Sequence, residues 1–293
     1  DFFSAAFIER FARFCRAVAR LISGTTDEVP FFAPINEISF LSWAIAHGIM
    51  SPFKEPHPGE VKRQLVRAAI AGMDAVWSVD KRARFVHEDP VIHVLPPRNR
   101  PELAQAAAQQ HGSQYEAWDM IAGTACPELG GAPQYLDIVG ISYYHSNQWE
   151  YPDSRLRWED TPRDERWLPF HRIIAAVYER YRRPLLIGET SHFGIGRAPW
   201  MREIAAEVHA AIEQGVPVGG ICIYPILDRY DWEDENHWHN SGLWDLKRDG
   251  KGHLLRVLND EYAEELRRAQ LLPGMSGCNG RHANAVLETS SRV

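Results

Sequence analysis

Val29-Pro-Phe-Phe-Ala-Pro-Ile-Asn36-Glu37 and Pro184-Leu-Leu-Ile-Gly-Glu189 are two apolar runs, each of which ends on a glutamate. Short continuous apolar runs of this kind read as strands buried on both faces of a parallel sheet. Between and around them lie segments with helical spacing. Residues 5–22 place Phe7, Phe11, Val18 and Leu21 on one side and arginines on the other, closing at Gly24. Residues 60–79 repeat the pattern with Val61, Leu65, Ile70, Met73 and Val76.

The rest of the chain keeps the alternation. Residues 84–95 read as a strand interrupted or ended near Pro90, and 101–121 as a helix. Leu136–Tyr144 is a further strand, 168–182 a helix, and 200–214 a helix leading through Gly215 to a strand over 219–227. A charged amphipathic helix is expected over 253–271. Residues 273–293 lack periodicity and read as a loose tail, which leaves 1–272 as the folded domain. Strands alternating with helices imply a parallel sheet with right-handed crossovers. Five strands are legible, whereas a closed (β/α) barrel has eight.

Bulk properties narrow the partners. A formal net charge of −7 argues against nucleic acid or an anionic membrane as the ligand. No apolar stretch reaches the length of about 18 residues that a spanning helix needs. Cys15, Cys126, Cys222 and Cys278 show no metal-finger or CxxC spacing. Cys15 and Cys222 sit in apolar runs where a buried thiol is expected, so the compartment reads as reducing and cytoplasmic. No export signal is visible at the N-terminus.

The motifs point to chemistry. In a parallel barrel the C-terminal ends of the strands face the active site. A glutamate from each of two strands is the equipment of a retaining glycoside hydrolase, in which the two carboxyl groups stand about 5–5.5 Å apart. Of Glu37 and Glu189, one would be the acid/base, its pKa lifted by burial and a neighbouring charge, and the other the ionised nucleophile. Either glutamate alone reads as readily as a solvated cap or salt-bridge partner. His87, His93, His237 and His239 include a His-x-His spacing, but in a polar loop that pattern is more commonly solvent-facing surface, and no metal or other cofactor is expected.

The sequence resembles clan A of the glycoside hydrolases, and within it family 1, the β-glucosidases. The aromatic-rich helix from Phe7 followed by Asn36-Glu37 is similar to that family's third helix and fourth strand, where Asn-Glu-Pro is usual. Asp137–Tyr144 resembles its sixth strand, and Ile187-Gly-Glu189-Thr its nucleophile motif. Tyr224–Leu243 is similar to its eighth strand and following loop. The likeness spans roughly residues 5–246 in family order.

That resemblance implies a (β/α)8 barrel of the TIM type with only strands four to eight present. It implies a carbohydrate substrate, with Glu37 as acid/base, Glu189 as nucleophile, Asn36 on the sugar 2-hydroxyl, and Tyr144 hydrogen-bonded to Glu189. Tyr224 would offer an aromatic face, with Asp231 and Trp232 further out on the sugar. Ile38, Ser142, Tyr224 and Asp231 depart from the family pattern, which favours a divergent relative. The absent strands read as an N-terminally incomplete sequence rather than an open half-barrel, whose edge would expose unpaired backbone. Two rivals stay open: a non-catalytic carbohydrate-binding or scaffold barrel, and a metal-dependent hydrolase using the histidines. Sugar, linkage and oligomeric state are not legible.

Overall fold

The computed structural model describes residues 2–51, 57–232 and 234–273. The tail expected beyond 273 lies outside the described residues. The chain divides after Ser142 into two compact units.

The first unit opens with α1 (Ala5–Ser23) and β1 (Phe31–Phe32), followed by α2 (Ile38–Ala46) and α3 (Pro58–Trp77). Then come β2 (Arg84–Pro90), β3 (His93–Leu95), α4 (Ala104–Gly112), α5 (Glu116–Ala122) and β4 (Ile138–Ser142). β1 and β4 flank β2, both parallel to it, with Phe32 opposite Phe85 and Gly140 opposite Glu88. Gly140 is required by this packing, because a Cβ there would stand 2.9 Å from the Glu88 Cα. Arg84 and Asp137 form a two-pronged ion pair at 2.6 and 2.7 Å, pinning the starts of β2 and β4 together. The apolar face of α3, including Val61, Leu65, Val66, Ala69 and Met73, is buried.

Two expectations for this unit need correction. The run Val29–Glu37 is not a strand to its end. Only Phe31–Phe32 pairs, because Pro30 and Pro34 cannot donate to a ladder, and Glu37 instead starts α2. The helix expected over 101–121 is broken into α4 and α5 by tight 3-10 turns at Pro101–Leu103 and Ser113–Tyr115.

The second unit contains β5 (Gln148–Glu150), β6 (Ser154–Arg155), α6 (Phe170–Tyr181), β7 (Leu185–Thr190), α7 (Arg197–Glu213) and β8 (Val218–Ile223). It ends with β9 (Trp244–Arg248), β10 (Leu254–Leu258) and α8 (Asp260–Gln270). β7 and β8 pair in parallel. Trp200 of α7 and Phe170 of α6 pack on the fully buried Tyr143, whose ring stacks on Phe170 with centroids 4.0 Å apart. The helix expected over 253–271 is half strand, since Leu254–Leu258 pairs antiparallel with β9 before α8 begins. Cys222 is exposed rather than buried, because alternation along β8 turns its side chain away from the core.

Candidate active site

In the first unit the candidate carboxylate Glu37 caps the start of α2 in a left-handed backbone conformation, φ 48°. Such a conformation is costly for a residue with a Cβ and persists where its surroundings fix it. Here the Glu37 N–H donates to the Glu88 carbonyl at 3.0 Å, which ties the glutamate to the middle of β2. Asn36 beside it is exposed and Glu37 half-buried.

Further titratable groups lie on β2, the run His87-Glu88-Asp89, which the sequence reading weighed as metal ligands and, for His87 and Glu88, as neighbours of the site. The Ser142 hydroxyl donates to the Glu88 carboxylate at 3.0 Å. Asp89 is buried and accepts from the Ser39 N–H at 2.9 Å and its hydroxyl at 2.7 Å. Burial pushes its carboxyl up to about 7 despite those donors. His87 is equally buried, pushed down to about 4 by desolvation, with its Nε2 2.8 Å from the Tyr135 carbonyl. The signal was present in His87-Glu88-Asp89, where three ionisable residues interrupt an apolar strand.

In the second unit Glu189 sits near the end of β7, as expected, and is half-buried. The Tyr144 hydroxyl donates to its carboxylate. The backbone reinforces this contact, for the Tyr143 N–H donates to the Glu189 carbonyl at 2.9 Å. Thr190 is buried beside it. Its hydroxyl donates to the Tyr143 carbonyl at 2.7 Å and accepts from the Trp200 indole at 2.9 Å. Three elements thus fix the Tyr144–Glu189 pair.

Tyr224 follows β8, and its N–H donates to the Thr190 carbonyl at 3.1 Å, which joins it to the Glu189 strand. Its ring and that of Trp232 are covered by one guanidinium, Arg229, at 5.8 and 5.5 Å from the ring centroids. Arg229 was not singled out from sequence. Asp231 is half-buried and its N–H donates to the His237 carbonyl, whereas Trp232 is largely exposed. Asp228 ties the following loop by accepting from the Ser241 N–H at 3.1 Å. Glu150 is engaged by Arg166 at 2.7 Å, so it serves as an ion-pair partner.

The histidines weighed from sequence are engaged within their own units. His239 bonds Ser241 at 2.7 Å and His87 bonds Tyr135. Among the described residues the group that does come together is His145, Glu159 and His192 in the second unit.

Neither a protein-family model nor a curated protein matches the chain. Its fold does match solved structures. A family 1 β-glucosidase from Thermotoga maritima aligns with TM-score 0.69 at 15% identity, covering 92% of this chain and 70% of that one. The same enzyme in complex with deoxynojirimycin aligns with TM-score 0.70 over the same shares. A hyperthermophilic β-glucosidase mutant aligns with TM-score 0.70 at 16% identity, and there the chain spans 61% of the neighbour's length. The fold is accordingly α/β, matching part of the barrel on which family 1 β-glucosidases are built.

Proposed function

We propose that the chain is a glycoside hydrolase that cleaves β-linked glycosides with retention of configuration, Glu189 acting as nucleophile and Glu37 as acid/base. The observation that carries the reading is the Tyr144 hydroxyl donating to the Glu189 carboxylate at the end of β7. A hydrogen bond of this kind holds the carboxylate in one orientation.

In the first step a Glu189 oxygen attacks the anomeric carbon and the glycosidic bond breaks. The leaving oxygen takes the proton of Glu37, giving a glycosyl ester on Glu189. Water then attacks the same carbon, gives its proton to Glu37 and releases Glu189. Asn36 would donate to the 2-hydroxyl, a contact that strengthens in the transition state. Tyr224, Asp231 and Trp232 would contact the sugar further out. No step calls for a cofactor. The negative charge and scattered cysteines fit a neutral substrate in the cytoplasm, and no described helix is long and apolar enough to cross a membrane.

A second reading, a carbohydrate-binding barrel without turnover, is favoured by the departures from the family pattern at Ser142, Tyr224 and Asp231, which substitute the contacts that the pattern provides. A 2-fluoro glycoside with an activated leaving group separates the two readings. A working nucleophile is expected to gain one glycosyl mass on the peptide containing Glu189. An unlabelled wild-type chain that still binds the sugar would leave the binding reading standing.

A further inference from the structure

The cluster of His145, Glu159 and His192 lies in the second unit, His192 just past the end of β7, and takes no part in the chemistry proposed above. One ring nitrogen from each histidine and one Glu159 oxygen all lie within 4.8 Å of one another. Ligands of a tetrahedral zinc ion, at bond lengths near 2.0–2.1 Å, stand roughly 3.4 Å apart, so the three donors would close by up to about 1.4 Å to share one ion. We propose that His145, His192 and Glu159 form a binding site for a divalent metal ion of the zinc class.

The donor set is one that zinc uses, two imidazoles and a carboxylate, with a position left for water. Both histidines are buried, His145 8% and His192 4% exposed, while Glu159 reaches solvent and leaves a way in for an ion. The His145 ring stands 4.1 Å from the His192 ring, centroid to centroid. His145 is pushed down to about 4, by burial first and by His192 next. Metal ligands must be neutral imidazoles, and His145 meets that requirement at neutral pH.

A plain hydrogen bond explains only part of the arrangement. His192 Nε2 is 3.1 Å from Glu159 Oε1, a contact that needs a proton on Nε2. It leaves His145 Nδ1 buried without a partner. A cation in place of the Nε2 proton serves His192 and Glu159 together. His192 Nδ1 accepts from the Phe193 N–H at 2.8 Å; with a cation on Nε2 it would give up that contact, carry the proton and donate to the Phe193 carbonyl, 3.0 Å away. That outer hydrogen bond is the usual way a ligating histidine is oriented. The backbone is also shaped around the ring, for a Cβ on Gly196 would fall 2.2 Å from His192 Nδ1. Arg155 and His239 act on His145 against a cation, and Glu159 acts for it.

The test is zinc retention by the full chain. Protein stripped with a chelator is equilibrated with micromolar Zn(II), passed through gel filtration and analysed for metal. Wild type is expected to retain one equivalent more than Glu159→Gln, with a Kd at least tenfold tighter. The Gln substitution falls on an exposed side chain, so folding is not at risk. His192→Asn should lose the same equivalent, and His253→Ala, on a surface histidine outside the cluster, should keep it. Co(II) substitution should give visible d–d bands in wild type that Glu159→Gln lacks. Equal metal content in wild type and Glu159→Gln, or loss in His253→Ala alone, would overturn the site.

Discussion

Asp89 and His87 are neighbours but one on β2, both fully buried, and burial acts on them in opposite senses. The Asp89 carboxyl is held protonated up to about 7, against an ordinary value near 3.8. Between those values the unfolded chain has released this proton and the folded chain has not, so stability from Asp89 falls as pH rises. The contribution is whole below pH 4 and gone above about 7. His87, lowered to about 4, works the other way, because between 6.5 and 4 only the unfolded chain binds its proton. Its contribution is whole at neutral pH and lost on acidification. The two largely offset each other, which would flatten the wild-type profile. Substituting Asp89→Asn keeps an acceptor for Ser39 and removes one member of the pair. The stability of wild type relative to Asp89→Asn should decline between pH 4 and 7, by on the order of 1 kcal/mol per pH unit. Urea titrations at several pH values read this directly, and a difference that does not change with pH would place Asp89 ionised in the folded state.

At the scale of elements, α8 depends on a contact that the sequence announces. Asn259 precedes Asp260-Glu261, and its side chain accepts from the Tyr262 N–H at 3.0 Å. Replacement by Ala should cost about 1 kcal/mol, seen as a lower urea midpoint with unchanged slope. An unchanged midpoint would mean that solvent replaces the cap at no cost. Legibility followed the same lines. Leu185–Thr190 and Ile138–Ser142 were readable because both are apolar runs flanked by polar residues, and the break after β2 because Pro90 announces it. Helices α1, α3, α6 and α7 were readable from spacing alone. The hairpin of β9 and β10 was not. Trp244–Arg248 is short and charged, and Leu254–Leu258 runs into a true helix, so its two leucines fit a helical stripe equally well. The short helix α2 escaped notice because Ile38–Ala46 is apolar almost throughout, which hides periodicity. Of the candidate site, the Tyr144–Glu189 hydrogen bond was legible through motif order. Arg229 over two aromatic rings, and the meeting of His145 with His192, depend on loop paths that no local pattern encodes.

Stereochemical outcome is a property of the whole molecule, because it counts the displacements that occur at one carbon. The chain matches only 61–70% of the length of the β-glucosidases whose fold it shares, so turnover has to be measured on this chain itself. Azide supplies a small nucleophile that can stand in for a lost carboxylate. In Glu189→Ala, azide should attack an activated β-glycoside directly, and one displacement inverts the anomeric centre to give an α-glycosyl azide. In Glu37→Ala, Glu189 still forms the ester and azide replaces water in the second step. Two displacements then return the β configuration. Each variant alone should lose several orders of magnitude in hydrolysis of a substrate with a poor leaving group, whereas for an activated leaving group Glu37→Ala should lose less in the first step. Product analysis by NMR separates the outcomes. A β-azide from both variants would remove Glu189 from the nucleophile's role. An α-azide from both would mean that Glu37→Ala no longer passes through an ester on Glu189, and the acid/base assignment of Glu37 would fall.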